Sequence, residues 1–238
     1  MQSTQNAVVT AATKGIGRAV VYKLAEQGMS VAFCARNAEE VQQMQQALSK
    51  KYPLASFLGV AADVAIPEGR EHFVEAIKAK FSQVHLLLNN AGIFLPGSVQ
   101  TEAEGVLEKL TETNLYSAYH ITRGLLPLML PFKSGHLFNM CSTASITAYT
   151  NGGSYCITKF ALLGMSKVLR EELKPEQIKV TSILPGATYT ASWEGSGLDA
   201  ARFMKAEDVA DMLWACYQLS PAAVVEEILL RPLAGDIP

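Results

Sequence analysis

Val8-Val9-Thr10-Ala11-Ala12-Thr13-Lys14-Gly15-Ile16-Gly17 is the stretch that decides the fold. Two β-branched residues run into a polar, glycine-containing turn. Ile16, Val20 and Leu24 then recur at four-residue steps, the spacing of one helical face. A strand that passes into a helix through glycines leaves free backbone N–H groups at the helix start. With the helix dipole behind them they attract phosphate, and glycine lets the backbone approach the anion closely. The plain alternative is an ordinary strand-to-helix turn. In a βα unit, Thr10, Thr13, Lys14, Gly15, Ile16 and Gly17 are the candidates for holding a pyrophosphate.

The same alternation continues outward. Short apolar runs at Val31–Cys34, Phe57–Val60, Leu86–Leu88, Leu137–Met140, Val180–Leu184 and Ile228–Leu230 read as six more strands. Between them lie helical stretches: Ala38 to about Lys51, the segment marked by Phe73, Ile77 and Phe81, Tyr155 to Leu173, and the segment marked by Val209, Met212, Leu213 and Cys216. A further helical region from Glu104 to about Leu130 is expected to break near Thr113. Uniformly apolar strands that alternate with helices predict an α/β fold. The expectation is a doubly wound, Rossmann-type domain with a seven-stranded parallel sheet flanked by helices, spanning 1–238 as one unit.

Composition narrows the function classes. The chain has 238 residues, 49% hydrophobic and 18% charged, with a formal net charge of −2. That excludes an intrinsically disordered chain and gives no basic field for nucleic acid. Cys34, Cys141, Cys156 and Cys216 form no CxxC pair, and His72, His85, His120 and His136 form no HExxH or HxH pair, so neither a disulfide scaffold nor a metal site is expected. No run approaches a membrane span, and Met1 to Asn6 lacks the features of a signal peptide. The expected setting is cytoplasmic.

The loop from Thr10 to Gly17 resembles the TGxxxGxG loop of the short-chain dehydrogenase/reductase family. It departs from that pattern at Ala11, where the family has glycine and where alanine disfavours positive φ. Asn89-Asn90-Ala91-Gly92 after the fourth strand is similar to the family's NNAG signature, and Asp63-Val64 stands where the family places an adenine contact. Pro185-Gly186 after the sixth strand, Thr188, and Thr190 also fit, Thr190 as the family's contact to the nicotinamide carboxamide. The resemblance runs from about Ala7 to Arg231.

The second strand ends in Cys34-Ala35-Arg36 and offers no acid for a ribose 2′-hydroxyl. Arg36 offers a planar cation suited to a 2′-phosphate, and Lys14 adds a second. Both match the family's pattern for NADP(H), although two solvated surface cations would read the same way.

Tyr155-Cys156-Ile157-Thr158-Lys159 is a YxxxK motif. Residues four apart share a helix face, so phenol and ammonium can act together, and a nearby cation favours a phenolate. Ser142, thirteen residues before Tyr155, has the spacing of the family's catalytic serine, with Ser145 as a nearby competitor. Asn114 in Thr113-Asn114-Leu115-Tyr116 matches the family's fourth catalytic residue. The resemblance implies carbonyl reduction: hydride from NADPH, a proton from Tyr155, the oxygen oriented by Ser142, the nicotinamide ribose held by Lys159, and a water held by Asn114 in a relay with Lys159.

Specificity is expected in a variable lid at about 187–204 and in the loop after Ser142. Phe94, Tyr149 and Trp193 are candidates for lining the substrate pocket, or for simple lid packing. The ending, Val224 to Pro238, with Val225-Glu226-Glu227-Ile228 and Leu230-Arg231-Pro232, resembles a bacterial branch containing sepiapterin-reductase-like members, and so does Tyr189-Thr190 followed by Trp193. That suggests a heterocyclic dicarbonyl, with a 3-oxoacyl thioester or another small ketone as rival. A nucleotide-binding regulator without turnover would use the same fold. The resemblance also implies a homodimer or homotetramer built on the long apolar helices, which could equally be buried within one subunit.

Overall fold

The computed structural model describes residues 5–190 and 197–236. Its centre is one sheet of seven strands: β1 (Asn6–Val9), β2 (Ser30–Ala35), β3 (Phe57–Ala61), β4 (Leu86–Asn89), β5 (Gly135–Met140), β6 (Ile178–Pro185) and β7 (Glu227–Leu230). The spatial order is β3-β2-β1-β4-β5-β6-β7, and every pairing is parallel. Chain order therefore reverses between β1 and β4. In an open parallel sheet this switch point opens a crevice at the carboxyl ends of the strands.

Strand composition follows from double-sided burial. Ala7 and Val9 face one apolar layer with Leu24, Leu48 and Leu213, whereas Val8 faces the other with Phe73, Ile121 and Val180. The first layer is covered by α1 (Gly15–Glu26), α2 (Ala38–Lys51) and α7 (Ala206–Tyr217). The second is covered by α3 (Pro67–Lys80), α5 (Ser117–Leu125) and α6 (Gly153–Leu173). Right-handed crossovers that wind outward from β1 in both directions produce this division.

The expected helix from Glu104 begins instead at Val106, after Gly105 takes φ +85°, and α4 (Val106–Thr111) does not break near Thr113. A π-type turn, Glu112–Tyr116, carries it without interruption into α5. Two 3₁₀ turns, Leu126–Leu128 and Leu130–Phe132, replace the helical continuation because Pro127 and Pro131 cannot donate to it. All four cysteines are buried and unpaired, and burial pushes the Cys34 thiol up to about 12. No helix among the described residues is long and apolar enough to cross a membrane.

Candidate active site

At the floor of the crevice, side-chain bonds extend the β1–β4 pairing beyond its last backbone bond, Thr10 N–H to the Leu88 carbonyl at 3.1 Å. Thr10 is buried, and its Oγ1 accepts from the backbone N–H of both Asn90 and Ala91, each at 2.9 Å. Asn90 Nδ2 donates in return to the carbonyls of Thr10 and Ala11, both at 3.0 Å. The loops after β1 and β4 are thereby locked together at the switch point. Gly17 faces this clasp: a Cβ there would lie 2.5 Å from Asn90 Nδ2 and 2.6 Å from the Ala11 carbonyl. Ala91 and Val64 are buried in the apolar layer beneath, which leaves only their backbone groups for the crevice. Ile16 packs against the opposite layer.

Ala11 takes φ +52°, a left-handed conformation that alanine adopts at a cost. Its carbonyl is held by Asn90 Nδ2, which fixes the conformation from outside. Lys14 is the N-cap of α1 and offers no side-chain acceptor, so the first amides of that helix have no capping side chain. Uncapped amides at the carboxyl edge of the sheet, approached through Gly15 at φ +54° and an obligatory glycine at 17, fit a pyrophosphate. Thr190 reaches this loop from after β6: a Cβ on Gly15 would stand 3.1 Å from its Cγ2.

At the far side of the loop, Arg36 is exposed directly after β2 and makes no ion pair among the described residues. Lys14 is paired. Its Nζ lies 2.8 Å from Glu40 Oε1, and Thr13 Oγ1 donates to Glu40 Oε2 at 3.0 Å. The Lys14 hydrogen bond, followed by that of Thr13, holds the Glu40 carboxyl below the usual carboxylate range. The sequence shows no acid at the end of β2, beside Arg36. Glu40 lies one turn into α2, beyond the end of the strand, and only the helix direction returns it. Asp63 accepts from Ala65 N–H at 3.0 Å in a tight turn after β3. Gly186 donates to the Leu230 carbonyl at 2.7 Å, and Thr188 is buried with its hydroxyl on the Gly186 carbonyl.

The other wall is α6. Lys159, buried, donates from Nζ to the Met140 carbonyl at 2.8 Å and lies 5.8 Å from the Tyr155 ring centroid. A Cβ on Gly92 would be 3.4 Å from both Lys159 Nζ and Asn114 Oδ1, so the glycine after β4 leaves the space in which these groups converge. Asn114 is fully buried in the π-type turn. Its Oδ1 accepts from Ile93 N–H at 2.8 Å, and its Nδ2 donates to the Ile93 carbonyl and Thr158 Oγ1, each at 3.1 Å. Both amide protons are therefore committed, and one Oδ1 lone pair remains for a water.

Ser142 opens a 3₁₀ turn, Thr143–Ser145, that packs against α6. Its Oγ accepts from Ala144 N–H at 3.1 Å, which leaves its proton to donate. The competitor Ser145 is buried and accepts from Ser142 N–H at 3.2 Å, so its hydroxyl faces back into the protein. Phe94 meets Tyr155 edge to face, and the exposed Tyr149 packs beside Gly152. Partial burial, then the neighbouring Tyr155, push the Tyr149 phenol up to about 12. Trp193 lies outside the described residues, as does part of the expected lid. The loop that carries Phe94 is fastened to the start of α6, through Gly97 N–H to the Asn151 carbonyl and a Ser154 hydroxyl bond to Glu102. A cavity of about 970 Å³ lined by His85, His136, Lys179 and Tyr217 opens at the amino ends of β5 and β6, the opposite end of the sheet.

A parallel sheet with a glycine loop at its switch point and an open helix N-terminus defines a dinucleotide-binding domain. The short chain dehydrogenase family model matches residues 5–200, and the chain belongs to that family. It is 28% identical over 239 residues to a sepiapterin reductase of Chlorobaculum tepidum, covering 97% of each chain. It is 27% identical over 227 residues to an uncharacterized oxidoreductase of Staphylococcus epidermidis, covering 95% of this chain and 96% of the relative. Among solved structures it is similar to L-sorbose reductase from Gluconobacter frateurii complexed with NADPH and L-sorbose. The TM-score is 0.89 at 26% identity, covering 97% of this chain and 96% of that one.

Proposed function

We propose that this chain reduces a ketone to an alcohol with NADPH. The observation that carries the reading is the convergence of Lys159 and Asn114 beside Gly92, with Tyr155 and Phe94 above, across the crevice from the uncapped start of α1. Arg36, exposed and without an ion pair among the described residues, supports a 2′-phosphorylated dinucleotide, as do the NADPH and NADP named with an L-sorbose reductase and a short-chain oxidoreductase of similar fold.

When bound, NADPH supplies a hydride to the carbonyl carbon. Tyr155 Oη then gives its proton to the carbonyl oxygen, and the Lys159 ammonium steadies the charge the phenol takes up. The remaining Ser142 proton donates to the same oxygen and holds it as negative charge develops. With one proton on the Met140 carbonyl, Lys159 keeps two more for the nicotinamide ribose and for a water on Asn114 Oδ1. Asp63 and Val64 would flank the adenine. The backbone of Asn90, Ala91 and Gly92 forms the floor, while Pro185, Gly186, Thr188 and Thr190 close the nicotinamide side. Phe94 and Tyr149 face the substrate.

The chain is read as acting in the cytoplasm on a small carbonyl compound, without nucleic acid or membrane. Ile157, Phe160 and Val168 stand 47%, 46% and 56% exposed on one side of α6, and this supports a homodimer or homotetramer.

The test is NADPH and NADH consumption across diketones, pterin carbonyls, ketoses and 3-oxoacyl thioesters. The expected result is NADPH oxidation that Tyr155→Phe lowers about a thousandfold, with NADPH affinity within about twofold. Comparable turnover in that variant overturns the proton donor. Dinucleotide binding without turnover on any member of the panel favours the regulator.

A further inference from the structure

We infer that Glu40 is a specificity-determining residue that narrows this chain's discrimination between NADP(H) and NAD(H). The inference rests on the reading of the crevice as a nicotinamide dinucleotide site and concerns its adenosine end. Dinucleotide folds choose there between an acid, which binds a ribose 2′-hydroxyl, and a cation, which binds a 2′-phosphate. This chain has both. Arg36 stands exposed after β2 with no ion pair among the described residues, while the second cation, Lys14, is occupied by Glu40 at 2.8 Å. The same carboxylate takes the Thr13 hydroxyl at 3.0 Å, so two contacts from the phosphate loop converge on it.

The consequence follows from charge. Arg36 and Lys14 alone would present two positive charges to a 2′-phosphate. Glu40 reduces the net to one and sets a carboxylate beside the phosphate. Like charges brought together cost affinity, so NADP(H) loses part of the advantage that Arg36 confers. A ribose 2′-hydroxyl meets no such repulsion. Each Glu40 oxygen has one of its acceptor sites taken and keeps another, so the hydroxyl finds a partner. The Lys14 and Glu40 side chains are 66% and 32% exposed, so the pair adds little to stability and can open for a ligand. Asn37 caps α2 through Glu39 and Glu40 N–H, which keeps the helix start intact when the Glu40 side chain is changed.

Equilibrium binding of 2′,5′-ADP and 5′-AMP to the full chain tests this without any turnover. The wild type is expected to prefer 2′,5′-ADP by less than about tenfold. Glu40→Gln keeps the shape and the Thr13 contact, removes the charge, and is expected to raise that preference by about tenfold, with 5′-AMP nearly unchanged or weaker. Lys14→Met should cost 2′,5′-ADP binding several-fold more in the Glu40→Gln background than in the wild type, because only there is Lys14 free. An unchanged preference in Glu40→Gln, with both ligands still bound, overturns the role of Glu40 and leaves the dinucleotide site standing. Binding of neither ligand by the wild type overturns both.

Discussion

The Phe94 ring stands edge-on to Tyr155, with centroids 5.0 Å apart and planes at 83°. Phe94 is 45% exposed, so it shields the phenol on one side and offers its other face outward. Phe94→Ala removes that wall. The expected result is a rise in KM of about tenfold for an aromatic or heterocyclic ketone, a smaller loss in kcat, and unchanged NADPH affinity. Steady-state kinetics with dinucleotide titrations read the split. A loss confined to kcat would make Phe94 a support for Tyr155 and nothing more.

Ala11 invites the opposite kind of change. Its φ of +52° is open to glycine at no steric cost. Ala11→Gly relieves that strain, while the greater freedom of glycine in the unfolded chain offsets part of the gain. A net stabilisation of about 0.5–1 kcal/mol is expected, which is about 1–4 °C in Tm for a chain of this size. Calorimetry decides, and a lower Tm would mean that the Ala11 conformation is not strained.

His136 gives the fold a pH dependence remote from the site. It is buried against Phe138 at 3.9 Å with its Nε2 on Thr181 Oγ1 at 2.7 Å. Thr181 donates its own proton to the Val225 carbonyl, so His136 carries its proton on Nε2, and its buried Nδ1 has no partner among the described residues. Burial, then the charge of Lys179, lower its pKa to about 3. An unfolded histidine titrates near ~6.5, so between these values the unfolded chain takes a proton that the folded one refuses. Stability from this group is full above about pH 6.5 and falls as the pH drops toward 3. Denaturant unfolding at pH 7.5 and 4.5 should show a loss about 2 kcal/mol smaller in His136→Phe than in the wild type. Equal losses would remove His136 as the cause.

How far the sequence carried depended on whether a signal was local. Val31–Cys34 and Leu86–Leu88 are legible as strands because both faces are buried and no polar residue interrupts them. The Ala38–Lys51 helix has its Asn37 cap and its basic last turn in the sequence itself. The glycine loop and the YxxxK pair were legible from a strand-to-helix turn and a four-residue step, and Asn114 only through the family resemblance. The π-type turn was not: nothing around Thr113 announces it, and Asn114 is held by Ile93 and Thr158 from distant segments. Glu40 was missed for a related reason, since its partners precede it by a whole βα crossover.

The Thr10 clasp has a consequence for how this protein could change. One hydroxyl accepts two amides from across the switch point, and one amide side chain answers with two bonds. The seam therefore stays shut by its own means, whatever occupies the crevice above it. The outer loops, from Ile93 onward, hang from this seam, and none of its four bonds comes from them. Such a chain can acquire new appetites by exchanging its outer loops while inheriting its grip on a common fuel unaltered.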